Sequence, residues 1–361
     1  MDPSQLIPSP GVIPVPWGWF EVLLLATFAI HLLLMNVMVG GAVIAWVSSL
    51  KRPAAPTPAE RDLSGTLTFV IAFAVNFGVA PFLFLQVLYG GFIYVSSQLM
   101  AVYWLLVIPM LIAAYYAAYI YKLRFTDLAD RRSVVIGAAV VLLLMIGFLF
   151  THNMTLMLRP EAWTGYFENR SGTLLDFSDP TLIPRYLHFM TASLAVGGLF
   201  VAVVGSRRRR RGEPGAAETV REGLNWFTYA TLFQIVIGFW FQMSLPRPIL
   251  LLFLGGSTLH TGLFVAGLAL TALALVLSIR GSVGGTVGAT LGLVGVMVVI
   301  RDLVRSAYLS PYYSPSELTV TGEYSTLVVF IIALAVSGAV VTYAVRLAVK
   351  AGTTARTGPP V

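Results

Sequence analysis

The sequence predicts an all-α integral membrane protein of about nine transmembrane helices, arranged as two four-helix bundles plus one extra helix. Three observations carry this expectation. Hydrophobic residues make up 57% of the chain and charged residues only 11%, against roughly 25% charged in an ordinary soluble domain. Mean hydropathy is +0.84. The apolar residues also gather in runs long enough to cross the membrane, since roughly 30 Å of hydrocarbon needs around 20 residues of helix.

Nine such runs follow in order: residues 18–49, 64–97, 99–122, 133–158, 184–205, 222–245, 257–280, 283–303 and 322–348. The first lacks a basic leading region and a small-residue cleavage pattern, so it reads as a retained helix rather than a removed signal. Basic residues cluster in alternate connections: Lys51 and Arg52, Lys122 and Arg124, Arg131 and Arg132, and Arg207 to Arg211. By the positive-inside rule these loops are cytoplasmic. The run Arg207 to Arg211 reads first as a topology anchor, with binding of anionic lipid headgroups as the alternative. The net charge of +7 belongs to these loops and does not indicate nucleic acid.

This orientation sets the N-terminus outside and the C-terminus, with Arg346, Lys350 and Arg356, in the cytoplasm. The expected organisation is an outer segment at 1–17, a first four-helix bundle at 18–158, an outer loop at 159–183 and a second bundle at 184–303. An outer loop at 304–321, a ninth helix at 322–348 and a cytoplasmic tail at 349–361 complete it. The chain has no cysteine, which excludes disulfides, thiolate zinc sites, cysteine-held iron–sulfur clusters and covalent haem attachment.

All four histidines fall in the outer half. His152 lies near the outer end of its run, His188 and His260 about one turn into theirs, and His31 roughly 15 Å deep at 1.5 Å per residue. An ionisable side chain in hydrocarbon is a functional candidate by default. Neutral imidazole is the usual protein ligand of haem iron, and helix bundles build such sites from side chains facing one another. The matching depths of His188 and His260 predict one haem held between them; the competing reading has them bonding nearby carbonyls or sitting in the wet interface. His31 and His152 form a second candidate pair, with His31 holding a haem alone as the competitor. Met35, Met38, Met154 and Met157 are either soft axial ligands or filler. Arg159, Arg185, Arg247, Arg301 and Arg305 near the outer boundary are candidates to bind haem propionates, because guanidinium pairs well with carboxylate. The alternative for each is a headgroup anchor.

Four stretches resemble subunit I of the cytochrome bd-type quinol oxidases, in that family's order: FAIHLLLMNVMVGG, NFGVAPFLFLQVLYG, THNMTLMLRP followed by PRYLHFMTASLAVGGLFVA, and STLHTGLFVAG. The resemblance implies that His31 binds the family's active-site haem and that His188 is a ligand of its low-spin haem. His260 stands where the family has a methionine ligand. This implies a His/His site of lower potential, since Met/His ligation raises it.

The chain also departs from the family. Gln86 replaces a glutamate beside the active-site haem, the 99–122 run carries no acidic residue, and the quinol-binding outer loop is reduced to about LPRPILLLFLGGS. IRDLVRSAYLSPYY stands roughly where the family has a glutamate ligand and a Gly-Arg-Gln-Pro-Trp motif. Asp302 would then replace the glutamate and Arg305 the arginine. The expectation is a membrane subunit that carries electrons without reducing oxygen. It would hold haem b (most simply two), exchange electrons with the quinone pool, and work with a c-type cytochrome or companion membrane subunit in a bacterial cytoplasmic membrane. Two alternatives stay open: a divergent oxygen-reducing member of the family, and a cofactor-free transporter or structural subunit in which Pro81 and Pro109 serve as hinge kinks.

Overall fold

The computed structural model describes residues 3–53 and 55–354; residues 355–361 of the expected tail, Arg356 among them, lie outside that range. The described chain forms α1 (Trp17–Lys51), α2 (Pro58–Leu99), α3 (Ala101–Leu123), α4 (Arg132–Met157), α5 (Leu182–Arg210), α6 (Ala216–Met243), the short α7 (Arg247–Leu251), α8 (Thr258–Ile279), α9 (Val283–Leu309) and α10 (Ser325–Thr354). Among the described residues nine helices are long and apolar enough to cross a membrane, as a multi-pass membrane protein requires. No strand occurs among these residues, only an isolated parallel bridge between Ile13 and Val320.

One buried apolar cluster joins α1, α2, α3 and α4 around Ile44, Leu67, Tyr121 and Ile136. Another joins α5, α6, α8 and α9 around Leu199, Phe227, Ala274 and Ala289. The seam between the clusters is a glycine-lined contact. Gly40 of α1 lies against the Ser193 carbonyl of α5, and a Cβ on Gly197 would meet the Gly40 backbone at 2.6 Å. On the other side of α5, a Cβ on Gly198 would fall 2.8 Å from the Gly223 carbonyl of α6. Membrane helices, lacking a hydrophobic drive to associate, rely on such close backbone packing. These glycines therefore seat helices against one another. Gly198→Val is expected to cost about 1–3 kcal/mol through overpacking, read as a lower unfolding temperature in detergent.

The loop-poor end of the molecule, where the basic connections lie, holds a buried polar knot. Thr57 caps α2 by accepting the Glu60 N–H at 3.1 Å, with Pro58 at the first helical position, both common helix-start devices. Glu60 is completely buried; it accepts the Tyr121 hydroxyl at 3.0 Å and pairs with Arg132 at 3.4 Å. Arg132 also donates to the Pro53 carbonyl. One carboxylate thereby fastens the ends of α2, α3 and α4 to the turn after α1.

Several boundaries differ from the expected runs. α5 continues through the arginine run to Arg210, and α9 continues to Leu309, so Arg305 and Tyr308 sit on a helix rather than in the expected 304–321 loop. α2 passes through Pro81 and leaves helical geometry at Tyr89 (φ −132°, ψ 31°), just before Gly90 and Gly91, where the backbone is most permissive. α10 stands apart; none of its described side chains along the span is buried, and Phe330 meets Phe84 of α2 at 6.1 Å.

Candidate functional site

The four histidine rings are used in two different ways. His31 Nδ1 lies 2.9 Å from the Ala74 carbonyl of α2 and must donate to it; this leaves the lone pair on Nε2. His188 Nδ1 lies 2.9 Å from the side-chain amide of Gln234 on α6. Gln234 Oε1 is buried without a partner, and half a turn of the amide lets that oxygen accept Nδ1–H, again freeing Nε2. His260 Nδ1 lies 2.8 Å from the Ser257 hydroxyl. None of these three Nε2 atoms has a hydrogen-bond partner among the described residues. A second polar group on the far ring nitrogen is the usual way to fix the tautomer and orientation of a ligating histidine.

His152 is the exception. Its Nε2 accepts the Asp176 backbone N–H at 2.8 Å, its Nδ1 is sealed without a partner, and its ring sits between Phe148 and Phe177 at 5.8 and 5.5 Å. The ring clasps the loop between α4 and α5. It makes no contact with His31, whose neighbours are Ala74, Gly78 and Phe28. His152→Ala should loosen residues 159–181, seen as faster proteolysis there with unchanged helix content.

Arg159 belongs to the same clasp, pairing with Asp176 at 2.7 Å and reaching Glu161 and Asp179. Burial pushes the Asp176 carboxyl up, but the Ser178 hydrogen bonds, Arg159 and His152 outweigh it and hold the group below its ordinary 3.8. A depressed carboxylate contributes stability that is complete above the ordinary value and lost as pH falls through the depressed one. The loop should therefore stay protease-resistant at pH 5 and above and open only below about pH 4.

Arg185, Arg301 and Arg305 come together between α5 and α9, close enough to act on one another electrostatically. Arg185 is buried over the Phe241 ring at 5.3 Å and donates to Thr181. Arg305 is buried over Tyr89, at the break in α2, and pairs with Asp302 one turn earlier. Arg301 is half-buried over the Phe28 ring at 4.4 Å, and no acidic side chain among the described residues pairs with it. Arg247 lies apart, exposed at the start of α7.

Two phenylalanines link the histidines to these cations. Phe28 lies 6.4 Å from His31 and carries Arg301 on its face. Phe241 lies 5.8 Å from His188, carries Arg185, and packs in one cluster with Phe253, which lies 5.1 Å from His260. His188 and His260 do not touch; each flanks that cluster. The segment read as a shortened loop is in fact α7 followed by a π turn, Leu252–Gly256. It turns at Gly255, whose φ of +106° suits glycine alone, and delivers Ser257 to His260.

Among the described residues no group of three or more His, Cys, Asp or Glu is placed to hold a metal ion. A haem iron takes one or two protein ligands instead, and the donor set fits it: imidazoles anchored at Nδ1, with guanidiniums nearby for carboxylates. Met38 and Met157 lie in the apolar clusters, with Met35 and Met154 packed against them. They pack as core filler. No protein-family model and no curated protein matches this chain.

Gln234, Glu21 and Tyr308 were not singled out by sequence. Gln234 had a signal, an amide in the middle of the apolar run 222–245. Glu21 faces Arg305 and Tyr308 faces Arg185; both sit at helix ends where a polar residue is unremarkable.

Proposed function

We propose that this chain is the haem b-binding membrane subunit of a respiratory electron-transfer complex, exchanging electrons with quinol in a bacterial cytoplasmic membrane. One observation carries the reading. Arg301, a cation within an apolar helix and without an acidic partner, lies on Phe28 beside His31, whose Nδ1 is tied to Ala74 and whose Nε2 is free. An unpaired cation in this setting asks for an anion, and a haem propionate next to an available imidazole supplies one.

In this reading His188 and His260 hold one haem and His31 another, with Arg185, Arg301 and Arg305 neutralising propionates. The haem supplies reversible one-electron chemistry. The chain orients the imidazoles, keeps water away with Phe28, Phe241 and Phe253, and sets the local charge. The two apolar clusters become two four-helix bundles with α10 as the extra helix, the clasped loop facing outside. Electrons pass to a c-type cytochrome or companion membrane subunit. The resemblance to the bd-type quinol oxidases agrees with a quinol substrate, while Gln86, the acid-free α3 and the engagement of Asp302 by Arg305 favour electron transfer over oxygen reduction.

Anaerobic addition of a short-chain quinol to the purified chain should reduce its haem, with no oxygen uptake when air is admitted. Failure of quinol to reduce a haem that dithionite reduces would overturn the substrate. Gln234→Leu should weaken retention of the His188 haem roughly 10- to 100-fold, the usual scale for losing a partner behind a metal ligand.

A further inference from the structure

At the basic end a cavity of about 470 Å³ opens between α1 and α6, closed at one side by the start of α2. Its size falls within the roughly 300–1,000 Å³ of small-molecule pockets. Both walls are single helix faces. α1 contributes Ile44, Val47, Ser48 and Lys51, with Arg52 after its last turn, and α6 contributes Glu218, Glu222, Asn225, Trp226 and Tyr229; these positions recur three and four residues apart. α1 and α6 each pack on α5, and the groove is the space left between them.

The charges on the two walls are of opposite sign. Lys51 and Arg52 face Glu218 and Glu222, with Arg221 beside the two carboxylates. Lys51 and Arg52 act on Glu222 across the gap, yet no ion pair closes it among the described residues. Two aromatic rings extend the acidic wall toward the apolar part of the molecule, and Tyr229 is 70% exposed there.

We infer that this groove binds the zwitterionic headgroup of an aminophospholipid: the phosphate against Lys51 and Arg52, the ammonium against Glu218, Glu222 and the faces of Trp226 and Tyr229. Lysine and arginine suit phosphate, carboxylates take the ammonium N–H groups, and aromatic faces attract the same cation. The position selects a lipid over a soluble zwitterion, because Val47, Trp226 and Tyr229 form an apolar edge on which acyl chains can lie, with the aromatic residues at interface depth. The site is independent of the haem assignment.

The test is native mass spectrometry of the full chain, delipidated in detergent and offered equimolar phosphatidylethanolamine, phosphatidylcholine and phosphatidylglycerol. Phosphatidylethanolamine should be retained roughly two- to fivefold over the others, the scale of exposed cation–aromatic and ion-pair contacts. Glu218→Gln with Glu222→Gln should erase the preference for ethanolamine over glycerol, whereas Lys51→Ala with Arg52→Ala should weaken retention of all three. These positions lie at the rim of the groove, and unchanged unfolding temperatures establish that the variants are folded. Equal retention by the unmodified chain, a preference for phosphatidylglycerol, or an ethanolamine preference that survives the glutamine pair would overturn the assignment. Retention of soluble phosphoethanolamine without any retained lipid would overturn the lipid.

Discussion

His188→Ala is expected to strip the low-spin haem from the purified chain while leaving the fold and the haem at His31 in place. In the proposed reading His188 is the best-prepared candidate ligand: Gln234 meets its Nδ1, Gly238 leaves room beside the ring, and Phe241 packs against it. Its removal deletes a ligand without touching the glycine seam of α5 that holds α1 and α6. His260→Ala should act on the same haem, since both histidines flank the Phe241 and Phe253 cluster. His260→Met should keep the haem and raise its potential, because methionine ligation favours the reduced iron. The check is a reduced-minus-oxidised spectrum of each variant. An unchanged low-spin band in His188→Ala would remove the central site.

Arg132→Ala should be the most damaging substitution for stability, at about 3–5 kcal/mol, because it strands a buried carboxylate. Glu60 has no exposure to solvent, one of its oxygens already lacks a partner, and the other is shared between Tyr121 and Arg132. Without the guanidinium, the ends of α2, α3 and α4 lose the group that neutralises their common acceptor. The double variant Glu60→Leu with Arg132→Met should recover most of the loss, since apolar replacement of a whole buried pair is often neutral. Thermal unfolding in detergent separates the outcomes. A single-variant loss below about 1 kcal/mol would mean that the pair is solvated like a surface bridge.

The apolar runs made the spanning helices legible, because hydrocarbon thickness and backbone satisfaction leave the chain little choice. Their ends were less legible. Arg210 and Arg305 are charged, so hydropathy stopped short of them, yet helices continue past a membrane boundary wherever a neighbour receives the side chain, as Tyr89 receives Arg305. The break at Tyr89 was hidden because the prolines drew attention and the paired glycines did not. The histidines were visible by type and depth, but not by tautomer. Only the fold reveals that His152 spends its Nε2 on the Asp176 N–H while His31 keeps Nε2 free. Gln234 needed the α5–α6 contact before its amide acquired a purpose.

The central claim is that these imidazoles and guanidiniums serve haem. It is tested most directly by a reduced-minus-oxidised visible spectrum of the purified chain, with pyridine haemochrome quantitation, repeated under carbon monoxide. The account predicts b-type haem with a low-spin band from the His188 and His260 site that carbon monoxide leaves unchanged, because two protein ligands fill the axial positions there. A colourless protein would contradict the haem assignment outright, and a low-spin band lost under carbon monoxide would contradict a site filled by both histidines.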